Sequence, residues 1–306
     1  MVGYVRSWRD TLVAQRNTWR SAQVRAETRR ARAAIRADLP SHRRVRGSVW
    51  GVAMLKDEID IVDPVLRHLV GQGVDRILVA DNGSTDGTLG RLHELARELP
   101  LVVVQDTDPA YFQAAKMNRL SRIAGRAGAD WVVPFDADEF WFAPGAGLAD
   151  WLRSSGLDVV EGRIHNAFPM PGTDHEPLVE REHRFDLTAH HLPNVAFRAH
   201  LLASLEMGNH FISRPGRRGR GPVVVHVPWR SLEQLAGKVR GGSAALAEDP
   251  DQDHGTHWRT LGRLDDAELK TIWERLLEGE GDERLAWSPK GPFRVERALQ
   301  RTTWDG

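Results

Sequence analysis

"DRILVADNGSTDGT", running from Asp75 to Thr88, passes from an apolar run into a polar turn. Ile77, Leu78, Val79 and Ala80 are apolar without a break, the pattern of a strand buried on both faces. Asp81 stands at its end. Gly83 and Gly87 allow a tight turn close to a ligand. Ser84, Thr85 and Asp86 have the side chains that cap a following helix. A capped βα turn accounts for all of these except the acid at the strand end, where a nucleotide base or ribose can be hydrogen-bonded.

The same alternation extends on both sides of that stretch. "SVWGVAMLKDE" is read as a strand ending in charge. Ile61, Val62, Val65, Leu66, Leu69 and Val70 follow at helical spacing, stopped by Gly71 and Gly73. A helix through Leu89, Leu92, Leu95 and Leu99 comes after the Asp81 turn. "PLVVVQDTD" is the third strand, "QAAKMNRLSRIAGRAG" a helix, and "DWVVPFD" the fourth strand. Strands alternating with helices predict an α/β fold with βαβ units and a mostly parallel sheet. Ligands bind such sheets beyond the carboxyl ends of the strands. The polar groups Lys56–Glu58, Asp81–Asp86, Asp106–Asp108 and Asp136–Glu139 all fall there. After Trp151 the alternation weakens. Short strands are expected near Val159–Ile164 and Val223–Val227, with loops over the site between His165 and Arg220. Helices are expected from Ser231 onward, one behind an Asp cap in "DDAELKTIWERLLEG", with a loop at "EDPDQDHGTH".

Composition sets the outer limits. The 306 residues are 41% hydrophobic, 27% charged and free of cysteine, so disulfides and thiolate metal sites are excluded. The formal charge of +0 gives a general nucleic-acid role no support. No apolar run reaches the roughly 18 residues that span a bilayer, and the first residues lack a secretory apolar core, so a cytoplasmic protein is expected. The neutrality hides a split. Residues 1–46 carry Arg16, Arg20, Arg25, Arg29, Arg30, Arg32, Arg36, Arg43 and Arg44 among others, against Asp10, Glu27 and Asp38. They are read as one basic helix from about Ser7 to Ala37, either packed on its own domain or a partner, or lying on an anionic membrane surface. The chain divides into a basic helical extension (1–46), a central domain (47–240) and a C-terminal helical extension (241–306).

"WVVPFDADEFW" (Trp131–Trp141) drives a buried strand into three carboxylates. If the backbone stays extended, Asp136 and Asp138 share a side. Two carboxylates with water and phosphate oxygens complete an octahedral shell for Mg²⁺ or Mn²⁺. Among the 11 tryptophans, Trp131 and Trp151 read as core, while Trp141 beside the acids is a candidate for stacking on a sugar.

Taken together, these motifs resemble the family-two glycosyltransferases of the GT-A fold, over roughly Val49 to Val239. The matching residues are Lys56-Asp57-Glu58 at the first strand end, Asp81–Thr88, Lys116 and Asn118 on a helix, Asp136-Ala137-Asp138-Glu139-Phe140, and the closing segment "VVVHVPWRSLEQLAGKVRGG". Asp57 departs from the Asn of many relatives. The resemblance implies transfer of a sugar from a nucleotide-sugar donor to a saccharide or other hydroxyl acceptor, with inversion. It places Lys56, Glu58, Asp81, Lys116, Asn118 and Asp136 at the nucleotide. Asp136, Asp138 and His226 would hold Mn²⁺ or Mg²⁺, and Lys116 and Arg230 would add positive charge at the phosphates. The general base is left between the Glu206/His210 pair, which is favoured, and Glu182/His183. A haloacid-dehalogenase-like phosphotransferase also places Asp-x-Asp after an apolar strand, but its pattern wants Thr or Val where this chain has Phe140. A non-catalytic nucleotide- or carbohydrate-binding protein on the same fold is the other alternative.

Overall fold

The computed structural model describes residues 4–173, 175–247 and 261–304; "EDPDQDHGTH" lies outside them. The alternation between Ser48 and Asp136 folds as its pattern requires. Strands β2 (Val49–Leu55), β3 (Arg76–Asp81), β4 (Leu101–Gln105) and β5 (Trp131–Pro134) are parallel, in the order β4-β3-β2-β5. In β2, Val49, Ala53 and Leu55 face one core, whereas Trp50 and Val52 face the other. Burial on both faces is why the run is apolar throughout.

Helices α3 (Val62–Gly71) and α4 (Thr88–Leu95) cover the first face, using Val62, Val65, Leu66, Leu69, Leu92 and Leu95. Each such burial contributes roughly 1.5–3 kcal/mol. Helix α5 (Gln113–Arg126) covers the other face with Met117, Leu120, Ile123 and Ala124.

Beyond β5 the sheet becomes mixed. β9 (Asn194–Arg198) pairs antiparallel with β5 and with β7 (Val159–Phe168), and β7 runs parallel to β12 (Gly216–His226). On β12 lie β6 (Glu139–Phe142) and β1 (Tyr4–Arg6), both antiparallel. The stretch expected as loops from His165 to Arg220 therefore contributes strands: β8 (His183–Asp186), β9, and the small hairpin β10 (Ser204–Leu205) and β11 (Ile212–Ser213).

C-terminal to the sheet, α7 (Leu232–Ala247) and α8 (Asp266–Glu278) form a third core with Trp229 and Phe168. Asp265 caps α8 in a reciprocal box with Glu268. The region is not wholly helical: β13 (Phe293–Glu296) pairs with β8, and the Gln72 amide donates to the Thr302 carbonyl at 2.8 Å.

The N-terminal segment is two helices, not one. α1 (Trp8–Arg20) and α2 (Ala22–Ala34) break at Ser21, which adopts an extended conformation and accepts from Val24 N at 3.3 Å. A serine in this position ends one helix by capping the next. Ala31, Ala34 and Ile35 are buried, and Ile35 makes a β-bridge to Asp106, so α2 packs on the sheet beside α5.

Candidate functional site

The polar groups at the ends of β2, β3, β4, β5 and β12 do gather on one side of the sheet. The loop after β2 is pinned by the loop after β3. Asp57 N donates to Ser84 Oγ at 3.0 Å, Glu58 N to Thr88 Oγ1 at 2.8 Å and Ile59 N to Asp86 Oδ2 at 3.0 Å. Asp86 Oδ1 also accepts from Thr88 N, the first residue of α4, at 2.9 Å, across the N-cap Gly87. Gly83 (φ 72°) and Gly87 (φ 102°) hold the left-handed backbone this path requires. Asp57 is itself left-handed (φ 54°), its carboxylate accepting from Thr85 N at 2.6 Å.

Asp81 is buried at the end of β3. Its Oδ2 accepts from Gly83 N at 3.1 Å and Ser84 N at 3.2 Å, whereas its buried Oδ1 has no partner. Such an oxygen is expensive unless a donor arrives. Next to Asp81, Asn82 donates to Asp106 Oδ2 at 2.8 Å. Lys116 has no exposed side-chain surface; its ammonium lies 2.5 Å from Asp106 and donates to the Asp108 carbonyl at 2.6 Å. Burial lowers the Lys116 pKa and Asp106 opposes the shift. Its charge is thus matched inside the wall of the site, not extended toward a phosphate. Asn118 clasps Leu205, donating to its carbonyl at 2.7 Å and accepting its N–H at 2.8 Å. Lys56 is exposed at the rim.

The acidic knot is not extended. Glu139 N donates to Asp136 O at 3.1 Å, turning the chain, and Asp136 N donates back to Glu139 Oε2 at 3.1 Å. Asn209 donates to Asp136 Oδ1 at 3.1 Å, and Asn194 holds Glu139. Burial, reinforced by Asp138, pushes Asp136 up to about 7. Burial and both neighbouring acids push Glu139 well above the usual range. Asp138 behaves oppositely: burial would raise it, but Lys238, His226 and Arg230 hold it well below.

Those cations come from the closing segment. Lys238, on α7, contacts Asp138 Oδ2, and Arg230 Nη1 lies 3.8 Å from the same oxygen. Arg230 is bound mainly to the β2 loop, at 2.6 Å from both Glu58 and Asp60. His226 Nδ1 lies 2.9 Å from Asn166 Oδ1 and Nε2 lies 3.5 Å from Asp138 Oδ1, so the ring links the end of β7 to the acidic knot. Among the described residues no three His, Asp or Glu side chains make a closed cation cage. Two protein donors nonetheless fit a Mg²⁺ or Mn²⁺ that takes its other ligands from phosphate and water.

His210 Nδ1 lies 3.0 Å from the Pro193 carbonyl and 3.1 Å from Asn194 Oδ1, leaving Nε2 as the basic atom. Burial lowers its pKa, favouring the neutral ring. Glu206, four residues earlier, is exposed, and its N–H donates to the Phe211 carbonyl at 2.9 Å. The other pair lies elsewhere: His183 is buried in the β8–β13 ladder. Trp141, expected near a sugar, is fully buried against Gly162 and Val224 and belongs to the core. Trp151 is only partly buried. The tryptophan at the site is Trp287, edge-on to His226 at 4.9 Å and 5.6 Å from the Lys238 ammonium.

Lys238, Asp60, Asn209 and Trp287 were missed. Lys238 had a signal: it is one of five lysines in an Arg-rich chain. The others arrive by long-range packing.

No protein-family model matches the chain, and no curated protein is a significant sequence match. Among solved structures, the chain is similar to S. aureus TarS 1–349 in complex with UDP-GlcNAc, at 14% identity and TM-score 0.41, over 75% of this chain and 71% of that one. It is also similar to the mannosyltransferase PcManGT from Pyrobaculum calidifontis in complex with GDP-Man and Mn²⁺, at 17% identity and TM-score 0.42, over 88% and 85%. Likeness at this level leaves the chain's function to its own residues.

Proposed function

We propose that the protein is a metal-dependent glycosyltransferase that moves a sugar from a nucleotide-sugar to a hydroxyl acceptor with inversion. The observation that carries this reading is the partnerless, buried Oδ1 of Asp81 at the end of β3. It suits a donor N–H or O–H of a nucleoside, at a strand end where a parallel sheet takes its ligands. The Asp-x-Asp and closing motifs of the sequence support the same reading.

In this scheme Asp81 binds the nucleoside, with the β2 loop carrying Lys56 and Glu58 alongside. Lys116 and Asn118 brace that wall through Asp106 and Leu205. Asp138 and His226, with Asp136 close by, would hold Mn²⁺ or Mg²⁺. The metal, when bound, neutralises charge on the diphosphate. Lys238 and Arg230 add fixed positive charge beside the leaving group. His210 Nε2 takes the proton of the acceptor hydroxyl. The acceptor oxygen bonds to the anomeric carbon as the bond from that carbon to the diphosphate oxygen breaks. The diphosphate leaves with the electron pair. Glu206 stands at the entrance on the acceptor side, and Trp287 offers a face for the sugar. Domain limits at 1–46, 47–240 and 241–306 remain part of the reading, as does peripheral membrane contact through residues 1–46 of a cytoplasmic enzyme.

Calorimetry with UDP, GDP and their sugar conjugates, with and without Mn²⁺, tests it. One nucleoside diphosphate should bind. Asp81→Asn should weaken it by about ten-fold or more even without metal, from the lost charge-assisted hydrogen bond. Absence of binding at millimolar nucleotide refutes the reading. Binding without release of nucleoside diphosphate to any acceptor would favour the non-catalytic alternative.

A further inference from the structure

We propose that α1 and the arginine ridge beside it dock on a bilayer carrying anionic phospholipid headgroups. This deepens the membrane contact included above and does not depend on the donor chemistry.

α1 is held from beneath. Thr11 is buried, Gln15 donates to the Leu202 carbonyl at 3.0 Å, and the Trp8 ring meets His200 edge-on at 5.0 Å. Flanking that contact on the same side of the helix, Trp8 (61% exposed), Leu12 (52%) and Trp19 (37%) keep much of their surface open. At the helical period these three fall within about 40° of one another, and Arg9, Arg16 and Arg20 form the adjoining row. Leu201, 96% exposed, lies on the loop that anchors α1. An apolar stripe with tryptophans, edged by arginines, is the composition of a helix lying in the headgroup region.

The second observation comes from other elements. Arg119, Arg122 and Arg126 recur at i, i+3 and i+7 on α5, and Arg32 faces them from α2. Burial and mutual repulsion lower the guanidinium pKa of Arg119 and Arg122. Among the described residues no carboxylate pairs with Arg32, Arg122 or Arg126, although Arg30 on the same helix pairs with Asp108 at 2.7 Å. The two features adjoin. The Arg126 carbonyl accepts from His42 N at 2.9 Å, and a Cβ at Gly125 would lie 3.3 Å from Ala199, next to the loop that holds α1. Uncompensated cations beside exposed tryptophans are complementary to an anionic apolar boundary. They repel a second copy of the same face, and a nucleic acid would leave the apolar stripe uncovered. No described helix is long and apolar enough to cross a membrane, so the contact is peripheral.

Full-length protein should co-sediment with phosphatidylcholine vesicles containing phosphatidylglycerol, not with phosphatidylcholine alone, and high salt should release it. Arg122→Gln/Arg126→Gln should weaken binding about 25-fold at low salt, five-fold per charge. Trp8→Ser/Leu12→Ser/Trp19→Ser should remove the remainder while circular dichroism stays unchanged. If that triple variant unfolds, the arginine pair decides alone. Equal binding to neutral vesicles overturns the proposal. So does binding to heparin with none to vesicles, or a dimer that the triple variant abolishes. Nucleotide titrations on the same preparations read the active-site proposal separately.

Discussion

Replacing Lys116 by Met isolates one buried charge. The Lys116 ammonium and the Asp106 carboxylate are 2.5 Å apart, with neither side chain exposed. Met fills the space of the lysine stem, so packing changes little. The Asp106 carboxylate keeps only Asn82 at 2.8 Å and Asp108 N at 3.1 Å. Removing one partner of a buried pair costs about 3–5 kcal/mol, because the other charge stays desolvated. At about 2–4 °C per kcal/mol for a chain approaching this size, the melting temperature should fall by roughly 6–20 °C. Asp106→Asn in the same chain removes the stranded charge and should return most of that loss. The double-mutant cycle should therefore show a coupling of about 2 kcal/mol or more. Urea unfolding at pH 7 measures all four corners, provided the m-values agree. A Lys116→Met loss under about 1 kcal/mol, with no recovery in the double variant, would show that the pair does not hold the wall. Ten-fold weaker nucleotide binding with unchanged stability would instead put Lys116 on the ligand.

Other perturbations address separate parts of the molecule. The His68 Nε2 lies 2.8 Å from the Trp141 carbonyl, and burial lowers its pKa to about 4 from 6.5. The unfolded chain then binds the extra proton between those values. Stability is full above pH 6.5 and falls by roughly 3 kcal/mol on approach to pH 4; His68→Gln should flatten that limb in acid-unfolding curves, and an unchanged limb would exonerate His68. Lys238→Met should weaken nucleoside diphosphate binding about ten-fold while leaving the free nucleoside alone; equal losses in calorimetry would mean that Lys238 acts through the fold. Asp265→Ala removes the α8 cap and should cost about 1 kcal/mol in urea unfolding, without altering nucleotide affinity.

The half of the fold built from β2 to β5 was legible because its strands are buried on both faces and its helices keep an apolar stripe. Each local pattern there has one reading. The other half was not. β9, β10, β11 and β13 are short and antiparallel, and each is defined by a partner distant in sequence. β13 pairs with β8 across more than 100 residues. The same difference divides the site. Asp81, Asp136 and Asp138 stand at strand ends and are visible one by one, and His226 Nε2 lies 3.5 Å from Asp138 Oδ1. The role of Lys116 was read from its charge alone, and charge does not reveal its partner, Asp106; nor does it reveal that Glu58 and Asp60 hold Arg230 in place. Trp141 shows a further limit. An aromatic beside acids in sequence alternates to the opposite face of its strand, whereas Trp287 reaches His226 from the far end of the chain.

The ties between the loops after β2 and β3 make Ser84, Asp86 and Thr88 act away from their own helix. They hold three successive N–H groups, those of Asp57, Glu58 and Ile59, and Asp57 returns the contact through Thr85 N. The two loops are therefore joined like mortise and tenon, so that displacing one strains the hydrogen bonds of the other. Glu58 and Asp60 on the β2 loop grip Arg230, from which α7 departs. Ser84, in the turn between β3 and α4, is thereby connected through the β2 loop and Arg230 to the start of α7, the helix that carries Lys238.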